Sequence, residues 1–266
     1  MGNLNDFKEE KWSDLKLRER QEMLQKIENQ MANESRRTAR KVSVKKLPEG
    51  SRGSYDFNKP IEIKISKEML KKSTDGYQCM ATVIHEGRHA YQDDVVSGHI
   101  PPQESDRDNV ASWRANSPKV GGVYNESGDS RIDYLFQPKE IDANNFARQK
   151  MNSFKEYFKN DPKYQEYSDN RDMKELFMHR RAHNEYGENY REKIANDIER
   201  RYKANIQGKQ GQSQQSKQAR SEGQAKDSPA MQRYKEQQGQ IAERVKAYKE
   251  AQSESQDIVQ GRGVGG

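Results

Sequence analysis

Two histidines flank a glutamate in the stretch His85-Glu86-Gly87-Arg88-His89. Apolar residues precede and follow this stretch, which favours a buried helix, and side chains four apart on a helix lie on one face, about 6 Å apart along the axis. Both imidazoles can therefore bind one ion at bond lengths of roughly 2 Å, while Glu86 points toward a water molecule on that ion. The spacing predicts a Zn²⁺ site with a general base beside it.

Zinc held by two histidines needs one more protein ligand and an open position for water. We expect this ligand to be Glu140, because Pro138 suits the first turn of a helix and Glu140 follows in that turn. Asn144, four residues further on, shares the face of Glu140 and can hydrogen-bond a histidine ligand. Five other acids stand before this helix as alternatives, in a composition that favours a solvated loop: Asp106, Asp108, Glu126, Asp129 and Asp133.

The order of the two motifs, His-Glu-x-x-His and then Glu-x-x-Ala-Asn-x-Phe-Ala, resembles the zincin superfamily of metallopeptidases with glutamate as third ligand. The likeness covers roughly residues 40–155 and is nearest to the ImmA/IrrE-type metallopeptidases. The longer phrase His-Glu-Gly-Arg-His-Ala-Tyr-Gln is also similar to small zincin domains of bacterial mobile-element and toxin proteins. Arg88 departs from the superfamily, where this position is usually uncharged, so its guanidinium needs a carboxylate partner or a route to solvent.

The resemblance implies that His85, His89 and Glu140 bind zinc, that Glu86 is the general base, and that Asn144 occupies a supporting position often held by aspartate. The activity it implies is hydrolysis of peptide bonds in a specific protein substrate, either as regulatory cleavage or as a toxin-like effector. Charge that develops on the scissile carbonyl oxygen needs a donor besides the metal. The candidates are Tyr134, Arg131 and His99.

A strand is predicted at residues 61–65, where Ile61, Ile63 and Ile65 alternate with charged residues. In zincins an edge strand beside the metal helix binds the substrate backbone through its unpaired N–H and C=O groups. Residues 61–65 are our candidate for this strand. The alternative is an ordinary strand of the sheet that binds no ligand.

The composition indicates how large the core can be and in which cellular compartment we expect the protein. Of the 266 residues only 30% are apolar and 34% are charged, with a net charge of +6, which is too polar for one core along the whole chain. A single cysteine excludes internal disulfides, and no apolar run reaches the length of a membrane span. The N-terminus lacks the features of a secretory signal, so we expect a cytoplasmic protein, with signal-less export left open.

The elements that must position the motifs predict an α+β fold. We expect a mainly helical minimal zincin with a small sheet next to the motif helix and a disordered C-terminal tail. Residues 1–46 are predicted to form an amphipathic helix packed on the domain, and residues 47–205 the metallopeptidase domain. Residues 206–266 are predicted to be a polar low-complexity tail that binds a partner, with a short helix at 229–252.

Two other function classes stay open. The first is a non-catalytic, zinc-containing interaction protein, against which Glu86 argues because a structural site needs no base. The second is a helical, mildly basic adaptor that binds nucleic acid through residues 36–46 and the tail. No nucleic-acid-binding module is recognisable in the sequence. We therefore expect the chain to bind a protein or peptide substrate and not a membrane.

Overall fold

The structure, a computed structural model, describes residues 4–56, 61–126 and 130–221, with side chains through residue 207. The chain divides into two compact units, Met1–Gly208 and Lys209–Gly266, and the second is described only by the backbone of one helix. Within the described ranges the α-helices are α1 (Glu9–Asp14), α2 (Leu17–Glu34), α3 (Lys67–Lys71), α4 (Gly76–Val96), α5 (Val110–Ala115), α6 (Arg131–Leu135), α7 (Pro138–Ser153), α8 (Lys155–Phe158), α9 (Pro162–Tyr186) and α10 (Tyr190–Ser221).

Three strands form one small sheet in the order β1–β3–β2, where β1 is Lys41–Lys45, β2 is Gly53–Asp56 and β3 is Glu62–Ser66. β3 pairs with β1 in parallel and with β2 in antiparallel orientation. The predicted fold class is confirmed, since the described part of the chain is mainly helical and its small sheet packs on α4.

The assignment of residues 61–65 as a substrate-binding edge strand is wrong. β3 is the central strand, so its backbone N–H and C=O groups are directed to a neighbour on either side. Ile63 and Ile65 are fully buried in the core, and Ile61 precedes the strand with 38% of its surface exposed. Among the described strands, the edge strand that contacts α4 directly is β2.

The predicted N-terminal amphipathic helix of residues 1–46 is divided. Helix α1 ends at Asp14, and α2 restarts after Lys16, whose backbone N–H donates to the Glu19 carboxylate at 2.6 Å. The helical path stops after α2, where Arg36 adopts a left-handed conformation with φ of 54°. The chain then enters β1, whose β-branched residues pair with β3.

The motif helix α4 lies at the centre of the first compact unit. It contacts α2, α5, α7, β2 and β3, and its residues are buried apart from the partly exposed Gln78 and His85. Its apolar side joins a core that includes residues from α2, the sheet and α7, among them Leu24, Ile27, Met31, Ile63, Ile65, Val83, Ile84 and Met151. His85 therefore faces the one partly open side of a helix that is otherwise enclosed.

Helix α10 continues to Ser221 and so runs through the first part of the segment predicted to be a tail. The rest of that segment, including the helix predicted at 229–252, lies outside the described residues. None of the helices among the described residues combines the length and the apolar character that a membrane span requires.

Candidate metal centre

His85, His89 and Glu140 converge on one point between α4 and α7. The Nε2 atom of His89 lies 2.9 Å from Oε1 of Glu140 and 3.1 Å from Nε2 of His85, and Nε2 of His85 lies 3.4 Å from Oε2 of Glu140. Ligand atoms around a tetrahedral zinc ion with bonds of about 2.0–2.1 Å are spaced roughly 3.3 Å apart. The three side chains could therefore hold a metal ion with little rearrangement.

Helix α7 places Glu140 because its N-terminus is fixed to the rest of the site. Pro138 occupies the first turn, and the backbone N–H of Lys139 donates to Asn116 Oδ1 at 3.0 Å. The ammonium of Lys139 forms a buried ion pair with Asp93 of α4 at 2.7 Å. Ala143, one turn further along, is fully buried and lets the two helices approach closely.

Each of the three candidate ligands has an outer partner. Nδ1 of His89 lies 2.9 Å from Oε1 of Gln92, whose amide nitrogen donates to Asp142 and to the Lys139 carbonyl. Because the Gln92 oxygen can only accept, Nδ1 is the protonated nitrogen and Nε2 is left free to bind a metal. Asn144, whose spacing from Glu140 predicted a contact with a histidine ligand, interacts with His85 and contributes to the raised pKa of its imidazole.

Glu140 receives its outer hydrogen bond from Tyr124, whose hydroxyl donates to Oε1 at 2.5 Å. Tyr124 lies in the loop before α6 and packs edge-to-face on Tyr134, with ring centroids 6.1 Å apart. Burial, together with the charge of Glu140, raises the pKa of both phenols above their ordinary value. Both hydroxyls therefore remain protonated donors beside the centre.

The buried guanidinium of Arg88 has the carboxylate partners that the sequence required. It donates to Asp142 of α7 at 2.7 and 3.0 Å, and to Asp106 at 2.7 and 3.1 Å. It also lies over the rings of Tyr91 and Phe146, at 4.7 Å from each centroid. Arg88 thus joins the motif helix to α7 and to the segment before α5.

Gly87 is required by a second buried ion pair on the opposite side of the motif helix. Glu28 and Arg37 have fully buried side chains and form two hydrogen bonds of 2.5 and 2.8 Å. A Cβ atom at position 87 would lie 2.8 Å from Oε2 of Glu28 and 2.9 Å from Nη2 of Arg37. The missing side chain therefore allows this ion pair to support α4 directly behind the metal centre.

Glu86 is buried beside the candidate ligands. Burial raises its pKa, while the neighbouring imidazoles and a backbone hydrogen bond with Tyr55 oppose that rise. Strand β2 passes close to this carboxylate, because a Cβ atom on Gly53 would lie 2.5 Å from Thr82 and 3.3 Å from Cγ of Glu86. Desolvation of this kind is what makes a carboxylate a stronger base.

The electrostatics of the three converging groups are strongly coupled. Although burial lowers the pKa of His85, its hydrogen bond and charge interaction with Glu140 raise that pKa to about 9. Burial would raise the pKa of Glu140, but the two imidazoles hold it well below its usual range. The carboxylate is therefore ionised and available as a ligand at neutral pH.

The three predicted oxyanion donors do not share one location. Tyr134 is partly buried, and its phenol interacts with the charges of Glu140 and Glu86. Arg131 is exposed at the start of α6. His99 lies beyond the end of α4, where its backbone N–H donates to the Asp94 carbonyl at 2.8 Å and its ring is 63% exposed. Tyr134 therefore remains the candidate among the three.

Of the acids that competed with Glu140 for the third ligand position, those among the described residues lie elsewhere. Asp106 is buried in the ion pair with Arg88 and not in a solvated loop, while Asp108 and Glu126 are exposed. Asp133 is partly exposed in the first turn of α6, and Asp129 lies outside the described residues. Among the described residues, His85, His89 and Glu140 form the cluster that could hold a metal.

Sequence reasoning missed three supporting residues of this site. Gln92 follows His89 at helical spacing, and that i,i+3 spacing could have indicated its contact with the ring. Asp142 and Tyr124 gave no comparable signal, because they meet Arg88 and Glu140 only through tertiary contacts.

Comparison with protein-family models, with curated proteins and with solved structures found no match for the chain. The interpretation of the site therefore depends on its own residues and geometry.

Proposed function

We propose that the protein is a zinc-dependent endopeptidase that hydrolyses peptide bonds of a specific protein substrate. The observation that carries the proposal is the convergence of two imidazole Nε2 atoms and one carboxylate within 4.8 Å, with the Glu86 carboxylate beside them on the same helix. A purely structural metal site has no use for that buried base. Cleavage for regulation and cleavage as a toxin-like effector both fit this activity.

The donor set supports zinc, but two nitrogens and one carboxylate also suit Fe²⁺ in oxygenases. Glu86 distinguishes the two, because hydrolysis needs a group that removes a proton from water and an oxygenase does not. Zinc bound by these residues would polarise the scissile carbonyl and lower the pKa of its water from 15.7 toward about 7.

Within this mechanism Glu86 takes the proton from the attacking water and passes it to the leaving amine, which is typically worth about 10²–10⁴-fold in rate. Its burial supports the role, since a desolvated carboxylate binds a proton more readily. The Tyr134 hydroxyl is the best-placed donor to the charge that develops on the carbonyl oxygen. Tyr124 and Gln92 orient the ligands through their hydrogen bonds with Glu140 and His89.

Strand β2 is the better candidate for binding the substrate backbone. The N–H of Ser66 donates to the Arg52 carbonyl at 2.9 Å. This bond shows which residues of β2 direct their backbone groups to β3 and which direct them away from it. Arg52 and Ser54 then face β3, while Gly53 and Tyr55 direct their backbone groups to the other side. The backbone hydrogen bond between Tyr55 and Glu86 places that side of the strand next to Glu86, so an extended substrate could pair with β2 there by displacing this contact.

The nucleic-acid alternative loses part of its support. Of the basic run at residues 36–46, Arg37 is fully buried against Glu28, and Arg40 is paired with Asp94 at 2.6 Å. These two charges are neutralised inside the fold and are not available to phosphates.

The test measures metal content and cleavage of a diverse peptide pool by the purified full chain. Glu86→Gln should keep about one zinc per chain and lose cleavage by about 10²–10⁴-fold, since only the base is removed. Glu140→Ala should lose both zinc and cleavage. Glu68→Gln changes the same chemical group on an exposed side chain of α3, away from the site, and should match the native chain.

Full cleavage by Glu86→Gln would refute the mechanism, and unchanged zinc in Glu140→Ala would remove that residue from the ligand set. Zinc bound by a native chain that cleaves no peptide in the pool would favour the non-catalytic alternative. Purification with iron in place of zinc would count against hydrolysis.

A further inference from the structure

Helix α9 presents an apolar patch to solvent on the side opposite the core. Met173, Leu176 and Phe177 are 65%, 61% and 64% exposed, whereas Tyr164 and Ala182 on the other side of the helix are buried. Residues at i, i+3 and i+4 lie together on a helix surface, so the three side chains form one contiguous patch. Burying such a patch against a partner is favourable.

Charged residues extend this patch in both directions with heptad spacing. Two acids lie toward the N-terminus of α9 and two basic or titratable residues toward its C-terminus, and all of them are exposed. Together they occupy successive a and d positions, alternately three and four residues apart. We name this set the α9 stripe: Glu166, Asp169, Met173, Leu176, Arg180 and His183.

We propose that the α9 stripe pairs with the same stripe of a second copy of this chain, as an antiparallel helix pair about a twofold axis. In that arrangement a positions face d positions, so Met173 packs on the partner's Leu176. Asp169 then lies opposite the partner's Arg180, and Glu166 opposite the partner's His183. The twofold axis repeats every contact, so one helix supplies both halves of the interface.

The charges select a second copy in this orientation. Among the described residues Arg180 has no ion-pair or hydrogen-bond partner, and the carboxylate of Asp169 accepts only from its neighbour Gln165. A parallel pair would place Asp169 opposite the partner's Asp169, which is repulsive. The stripe has acidic residues at one end, apolar residues in the middle and basic residues at the other end. It is therefore complementary to the same stripe of a second copy that runs in the opposite direction.

The size of the stripe sets the strength of the pairing. It spans about 25 Å of helix, and two such faces bury on the order of 500 Å² per partner, which is less than the roughly 800 Å² of a standard stable interface. The dimer should therefore form reversibly, with a Kd on the order of 10–100 μM. The stripe contains none of the metal-centre residues, so this inference does not depend on the proposed function.

Sedimentation equilibrium of the full chain, from about 1 to about 300 μM, tests the pairing. The native mass should rise toward twice the monomer mass with concentration. Asp169→Arg alone and Arg180→Asp alone should each raise the dimer Kd at least about tenfold, because each places like charges opposite one another. Combining the two changes restores opposite charges and should bring the Kd back to within about threefold of the native value. Lys174→Glu, on the same helix outside the stripe, is the control.

A native chain that stays monomeric at about 300 μM would overturn the proposal. The patch would then be covered by another protein or by the chain's own C-terminal segment and not by a second copy. A dimer whose Kd is unchanged by either single variant would also overturn it, because a different surface would then be responsible. Failure of the double variant to recover would exclude the antiparallel register.

Discussion

Replacing Arg88 by methionine should be among the most damaging single changes in this protein. The guanidinium is 4% exposed and makes four hydrogen bonds, two to Asp106 and two to Asp142. Methionine fills much of the same volume but leaves the buried Asp106 and the partly buried Asp142 without their cation. Most of the lost stability comes from these carboxylates, because an uncompensated buried charge costs more than the missing contact itself.

The magnitude follows from the burial. Breaking one partner of a buried ion pair costs about 3–5 kcal/mol, and the contacts of Arg88 with aromatic rings add to this value. For a unit of this size each kcal/mol lowers the melting temperature by about 2–4 °C, so Arg88→Met should melt roughly 6–20 °C below the native chain. Arg88→Lys should lie between them, because an ammonium cannot reproduce the planar contacts to both carboxylates.

Urea unfolding monitored by circular dichroism measures these differences, with the slope of the transition compared between variants. The decisive control is a triple variant, Arg88→Met with Asp106→Leu and Asp142→Leu, which replaces the whole ionic cluster by apolar groups. It should be more stable than Arg88→Met alone, because no charge is left unpaired. A loss below about 1 kcal/mol in Arg88→Met, or a triple variant less stable than the single one, would refute this reasoning.

Three further predictions concern the centre and its supports. In the chain stripped of metal by a chelator, protonated His85 stabilises the fold, because its pKa is raised from 6.5 to about 9. This contribution to stability is complete below pH 6.5 and is lost as the pH rises to about 9. The urea midpoint should therefore fall over that pH range in the native chain and not in His85→Gln. Gly87→Ala gains about 1 kcal/mol of helix propensity but loses about 1–3 kcal/mol by overpacking on the buried ion pair behind α4, so a net loss of stability is expected on unfolding, and a gain would contradict the contact. Gln92→Met should weaken zinc binding about 10–100-fold in a chelator competition, because the His89 ring loses its orienting partner. The metal-free chain should also lose about 1–3 kcal/mol of stability, because Asp142 and the Lys139 carbonyl lose a buried donor, so the competition is measured well below the melting temperature. Unchanged zinc affinity would remove Gln92 from the site.

The sequence predicted the parts of the site that depend on local geometry. Helix periodicity alone places His85, Glu86 and His89 on neighbouring positions of one face, and Pro138 marks the start of the helix whose first turn holds Glu140. The mainly helical α+β class followed from the same periodicities. These features survive in the structure because hydrogen bonds within a helix join residues that are close in the chain.

The order of the strands could not be predicted in the same way. The alternation at residues 61–65 predicted a strand, but alternation does not tell how many neighbours a strand has, and β3 lies between β1 and β2. β1 was overlooked because a five-residue strand after a long charged helix carries little signal. The free edge near Glu86 therefore belongs to β2, which only the pairing register identifies.

Sequence by itself determined which residue types could bind a metal and which two helices must present them. Tertiary structure alone decided that Glu140 meets the two imidazoles, that Tyr124 holds its carboxylate, and that Arg88 finds Asp106 and Asp142, 18 and 54 residues away. The reason is physical: spacing along a helix fixes the direction of a side chain, whereas its partner on another segment is chosen by the packing of the whole core.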